Sequence, residues 1–313
     1  MDFTSAQTSA DFVEVLNLDN PESGLKLPVT IKAPKLSVDA TGKGFRTRPL
    51  LDLLAFAVAN ENEASLKASQ AELKSLLLAA LPLWERIDGT YGFHDFAVES
   101  PVGTFGAAEL GIGFGSDGIG RNGTLNYAIK ASGLTMPHDL LPAWSAAVLP
   151  TDIDLNIGGA NINLDDMAKS AIEAFDLNQD PPLSDAVGAA LAADFMASLP
   201  KLVIGRSTVK NSGTEIALEG EVTFPAAKPE ANLTVGVAGY DKIVESLQAA
   251  AKSDPTVAQY VPAALAIKGF GKTLPDGRIE WAVNAKPDGS ILVNGVMVKP
   301  ADPVAQETAP APQ

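Results

Sequence analysis

The stretch Thr214-Glu215-Ile216-Ala217-Leu218-Glu219-Gly220-Glu221-Val222-Thr223-Phe224 decides the fold. Ile216, Leu218, Val222 and Phe224 fall on one side of an extended chain, and Glu215, Glu219, Glu221 and Thr223 on the other. A period of two marks a strand wet on one face and dry on the other. The same signature recurs outward from here. Leu233, Val235 and Val237 alternate with Asn232 and Thr234. Ile279, Trp281 and Val283 alternate with Glu280 and Asn284, and a Pro287-Asp288-Gly289 turn leads into Ile291–Val298. Leu125, Tyr127 and Ile129 alternate with Thr124 and Asn126, and Ile153, Leu155 and Ile157 with Asp152, Asp154 and Asn156. Leu25–Val38 reads as one or two further strands. This pattern predicts antiparallel strands with Ile216, Leu218, Val222, Val235, Ile279, Trp281 and Val283 buried.

Between the strands lie Ala/Leu-rich segments of helical character: Leu50–Val58, Ser65–Leu81, Leu164–Phe175, Ala186–Leu199, Tyr240–Lys252 and Pro255–Leu265. Gly239 or Asp241 is a candidate cap for the fifth. A helix followed by a meander occurs three times, and the first two copies share a junction, Leu78-Ala79-Ala80-Leu81-Pro82 against Met196-Ala197-Ser198-Leu199-Pro200. The expected fold is therefore α+β: a long curved antiparallel sheet built from helix-plus-meander repeats and wrapped around apolar helices. Residues 1–140 form the expected N-terminal lobe, 141–298 a C-terminal lobe with two more units, and 299–313, with four prolines, a disordered tail.

Composition limits function. The chain has 313 residues, is 46% hydrophobic, contains no cysteine and carries a formal charge of -15. Such a surface repels phosphate backbones and anionic headgroups, which argues against nucleic acid as a partner. Without cysteine there are no disulfides, thiolate metal sites or thiol nucleophiles, and two histidines cannot build a multi-histidine zinc site. No metal and no cofactor is expected. The opening Met1-Asp2-Phe3-Thr4-Ser5 lacks the character of a signal peptide, and no run reaches the length of a membrane span.

The chemical motifs are weak. Gly113-Phe114-Gly115-Ser116-Asp117-Gly118 matches a dinucleotide fingerprint but lacks the helix that must follow it, so a glycine-rich hairpin explains it better. Asp152, Asp154 and Asn156, and the loop Asp176–Asp180, lack the closing acid of a calcium loop. Ser207-Thr208-Val209-Lys210 matches S-x-x-K but falls in a strand rather than at the start of a buried helix. His94 and His138 have no serine elbow to serve, so neither is expected to be catalytic. Trp84, Trp144 and Trp281 are the candidate ligand-binding residues, as aromatics able to line an apolar cavity beside small-residue helices.

Ala131-Ser132-Gly133-Leu134-Thr135-Met136-Pro137, Leu149-Pro150-Thr151-Asp152-Ile153-Asp154-Leu155 and the end Gly277–Val298 resemble an uncharacterised family of Gram-negative envelope proteins, that of domain of unknown function 2125. The resemblance covers most of Thr30–Val298. It implies a periplasmic location, with a cytoplasmic one as the alternative because the family's usual leader is not seen here. It brings no catalytic residues. The functional expectation is a non-enzymatic envelope protein that binds or shields an apolar ligand such as a lipid. The alternative is a structural or assembly scaffold that meets an envelope protein partner through its acidic surface.

Overall fold

A computed structural model describes residues 1–19, 26–137, 149–225 and 228–303. The chain is α+β with 29% helix and 46% strand, and the strands form one 13-stranded antiparallel sheet that does not close. The elements in order are β1 (Phe3–Asp19), β2 (Lys26–Lys43), α1 (Thr47–Ala59), α2 (Glu63–Ala68), α3 (Gln70–Ala80), β3 (Arg86–Ser100), β4 (Gly103–Asp117), β5 (Gly123–Ser132) and β6 (Asp152–Ile162). There follow α4 (Leu164–Ala174), α5 (Asp185–Ala197), β7 (Lys201–Lys210), β8 (Glu215–Thr223), β9 (Glu230–Ala238), α6 (Tyr240–Ser253), α7 (Pro255–Ala258), α8 (Tyr260–Gly269), β10 (Lys272–Thr273), β11 (Ile279–Ala285), β12 (Ile291–Val293) and β13 (Val296–Lys299). Each strand from β1 to β9 pairs with the next; β9 then pairs with β11, and the sheet ends at β13, with β10 on β11. The pairing of β5 with β6 carries the sheet without a break across residue 140.

Short turns join β3 to β4, β4 to β5 and β7 to β8. In the last of these the Asn211 side-chain carbonyl accepts from the backbone N–H of Gly213 and of Thr214, closing the β7–β8 hairpin. Strand follows both Leu-Pro junctions, and a helical group precedes each later run of strands. The helix read as one piece over Ser65–Leu81 is two: Asn62 caps α2 by accepting from Ser65 N, and α3 starts anew after Ser69. Gly239 caps α6 at φ 71°, in the left-handed region that favours glycine.

The register stacks like with like. One row runs Leu36, Phe93, Leu110, Ala131, Ile153, Val209, Ile216, Val237 and Ile279, crossing the sheet from β2 to β11. A second runs Phe114, Tyr127, Ile157, Ile204, and a third Leu125, Gly159, Leu202, Val222. All three rows lie on one face. The opposite face carries Arg86, Asp88, Asn126, Asp154, Thr208 and Glu219. The dinucleotide-like glycines lie in and just beyond the end of β4, and the S-x-x-K serine lies in β7. There the Ser207 hydroxyl accepts from Asn156 N at 2.9 Å and fills a gap in the ladder where the β6–β7 and β7–β8 registers both shift.

Burial departs from the expectation at Ile216. It was predicted to be buried and is 43% exposed, although it sits on the apolar face. Leu218, Val222, Val235 and Val283 are partly buried, and only Ile279 and Trp281 are fully so. The physical reason is cover. Alternation states which face is dry; it does not state how far the helices extend over it. Tyr91, Phe114, Leu125, Tyr127, Leu155, Ile157 and Leu202 are exposed on that same face.

Candidate functional site

The site is built where β9 and β11 meet α6 and α8. Val237, Ile279 and Trp281 form a buried cluster, with Val235, Tyr240, Ile243, Val283 and Val293 packed against it. Trp281 is 5% exposed, its ring 5.4 Å from that of Tyr240, centroid to centroid. Its indole N–H donates to the Ile267 carbonyl at 2.9 Å, and the Tyr240 hydroxyl donates to Ala264 O at 2.8 Å. Trp281 on β11 and Tyr240 at the start of α6 thus hold the backbone of α8 above the sheet. Burial pushes the Tyr240 phenol up from its ordinary 10.0, against the opposing pull of the Lys268 charge. It is a protonated donor at neutral pH.

Beside this cluster the apolar face opens into a groove of about 520 Å³, lined among others by Ile216, Val235, Ile267, Phe270, Trp281 and Val298. Ile216, Ile267, Phe270 and Val298 are exposed, so the groove is open along one side. Its two polar groups, the Tyr240 hydroxyl and the Trp281 N–H, already have backbone acceptors. What remains is apolar surface, which favours hydrocarbon over any hydrogen-bonding solute.

The other sequence candidates lie elsewhere. Trp84 follows the first Leu-Pro junction and packs with tilted rings against Phe45 at 6.0 Å, as Phe45 does against Phe3 at 5.4 Å. This aromatic corner is accommodated by Gly42, where a Cβ would collide with both phenylalanine rings. The Trp84 indole N–H is buried without an acceptor. A shallow cleft of about 250 Å³ beside it is bordered by Glu85 and Asp117, unlike the wholly apolar groove at Trp281. Trp144 and His138 lie outside the described residues. His94 sits on β3 opposite Glu109, with Nδ1 3.8 Å from its carboxylate. Asp154 accepts from Asn156 Nδ2 at 2.9 Å on the polar face. Ile216, Ile267, Phe270 and Val298 were not among the ligand-binding candidates of the sequence. Alternation flags Ile216, but a helix whose residues are apolar on most sides carries no signal that Ile267 and Phe270 form a wall.

The polar face is held by ion pairs across strands. Arg86 spans three of them, donating from Nε to Asp88 at 3.0 Å, from Nη1 to Asp117 at 3.2 Å and from Nη2 to Asn126 at 2.6 Å. The Arg86 hydrogen bond holds the Asp88 carboxyl below its ordinary 3.8, against burial. At Asp117, burial acts upward, but hydrogen bonds from the Thr124 hydroxyl and N–H, then from Arg86, bring it down. Both folded values lie below the unfolded ones. Their stabilisation is therefore complete above about pH 4 and is lost as pH falls through the folded values. Arg86→Ala is expected to flatten the loss of stability below pH 4 relative to wild type, as read by urea unfolding at a series of pH values. An unchanged acid limb would show that the clamp contributes nothing to acid sensitivity.

Comparison with models of protein families, with curated proteins and with solved structures found no match to this chain. Among the described residues, no helix is long and apolar enough to cross a membrane.

Proposed function

We propose that this chain is a non-enzymatic cell-envelope protein that binds and shields an apolar ligand, with the acyl chain of a lipid as the ligand class. The groove at Trp281 carries this reading. It is wholly apolar, its polar groups are satisfied internally, and it opens onto an exposed apolar sheet face. An uncovered apolar surface of that extent is costly in water and marks a place where something else is bound. The envelope location, periplasmic in this reading, comes from the resemblance of Ala131–Pro137, Leu149–Leu155 and Gly277–Val298 to the Gram-negative envelope family. The same reading takes the three helix-and-meander units as products of duplication, with the sheet curving around its helices.

The scaffold reading needs free acidic surface. Several polar-face carboxylates are already engaged: Asp88 and Asp117 with Arg86, Glu221 with Lys201 at 2.9 Å, and Glu215 with Arg278 at 3.0 Å. The formal charge of -15 leaves other carboxylates free for such a partner, so the preference for the apolar face rests on the groove at Trp281.

A fluorescent fatty-acid probe tests the reading. Binding is expected to quench tryptophan emission, to be reversed by lipid extract, and to lose most of the quenching in Trp281→Phe while binding persists. Absence of saturable probe binding to the folded wild type would remove the acyl-ligand reading and leave the scaffold.

A further inference from the structure

We infer that the ligand is a diacyl lipid, with one chain in the Trp281 groove and the second on the exposed apolar strip that continues from it across the sheet. The inference rests on the acyl-ligand reading and adds the number and path of the chains.

Capacity comes first. A methylene occupies about the volume of a water molecule, roughly 30 Å³. The groove of about 520 Å³ then holds roughly 17 methylenes, which is one long acyl chain.

Continuity comes second. Ile216 lines the groove, and its row passes through Val209 to Ile153; on the same face, further along β6 from Ile153, stand Leu155 and Ile157, and Tyr127 and Phe114 follow Ile157 on the next two strands. Ile216, Leu155, Ile157, Tyr127 and Phe114 are exposed, Val209 and Ile153 between them are half-buried, and no charged side chain interrupts the path. From β4 to β8 the strip crosses four strand spacings, about 19 Å at roughly 4.8 Å each. An acyl chain in one leaflet spans about 15 Å, half the hydrocarbon core of a bilayer. The strip therefore accommodates a full second chain outside the groove.

Shape comes third. Tyr240 and α8 stand on this face at the β9–β11 corner, and the Phe3–Phe45–Trp84 cluster stands on it where β2 meets β3. Raised at two corners, the face cannot receive a flat sheet from a second copy flush against it. A slender flexible chain fits between. With the Tyr240 hydroxyl and Trp281 N–H already spent on backbone carbonyls, the headgroup stays in water.

The test uses wild type, Leu155→Asp and Ile157→Asp. Both positions are exposed, at 41% and 46%, so the variants should fold, as checked by circular dichroism and melting. Each protein is incubated with dioleoyl phosphatidylcholine vesicles, separated, and weighed by native mass spectrometry; fatty-acid probe binding is titrated in parallel. Wild type should retain one diacyl lipid per chain. Both variants should bind the single-chain probe like wild type but retain about tenfold less diacyl lipid, because a carboxylate then faces the second chain. Undiminished retention in both variants overturns the inference. Failure of wild type to bind even the probe overturns the acyl-ligand reading beneath it. A lipid-free wild-type dimer in light scattering, split into monomers by Ile157→Asp, assigns the strip to a second copy and overturns the inference as well.

Discussion

Trp281→Ala is expected to destabilise the protein by about 3–5 kcal/mol, the range for deleting a buried large aromatic. Trp281 is in the cluster with Val237 and Ile279, packs against the tilted ring of Tyr240, and ties β11 to α8 through the Ile267 carbonyl. Alanine removes the packing, leaves a cavity and leaves that carbonyl without its donor. Trp281→Phe keeps most of the packing and gives up the hydrogen bond, for about 1 kcal/mol. Equilibrium urea unfolding followed by circular dichroism separates the two. An alanine variant within about 1 kcal/mol of wild type would mean that the site collapses without penalty and that the cluster does not hold α8 on the sheet.

Ile216→Asp is expected to do the reverse, leaving stability nearly intact and removing binding. The side chain is 43% exposed, so a polar replacement there should change stability by less than about 1 kcal/mol. In the occupied groove the same carboxylate would face hydrocarbon. Desolvating it costs about 2–3 kcal/mol, which corresponds to roughly 30- to 150-fold weaker probe binding. Titration of the fluorescent fatty acid against the folded variant reads this directly. Wild-type affinity in Ile216→Asp would place the chain somewhere other than the Trp281 groove.

The sheet was legible in the sequence where one face is dry. Thr214–Phe224, Asn232–Ala238 and Ile279–Val283 alternate because their partners stack apolar rows on one side, and β8, β9 and β11 lie there. The edge strand β1 was not legible. Thr4-Ser5-Ala6-Gln7-Thr8-Ser9 has no dry face to impose a pattern; it is strand because each residue pairs with β2 over Asp39–Thr41 and onward. Exposure was illegible for a different reason. Ile216 read as core because periodicity assigns a face, while the extent of helical cover is a property of tertiary placement. Among the tryptophans, Trp281 could be placed from its strand. The wall opposite it could not, since α8 is apolar on most sides and meets the indole through a backbone carbonyl, which no side-chain pattern encodes. Trp84 has the same residue type as Trp281 but goes to an aromatic corner fixed by Phe3, Phe45 and Gly42.

The claim that the apolar face and its groove exist to hold hydrocarbon is tested most directly by native mass spectrometry of the chain purified without detergent. The account predicts the 32.4 kDa protein carrying an acyl-lipid adduct that is released on unfolding. A bare protein mass, in a preparation that also takes up no lipid from vesicles, would contradict it.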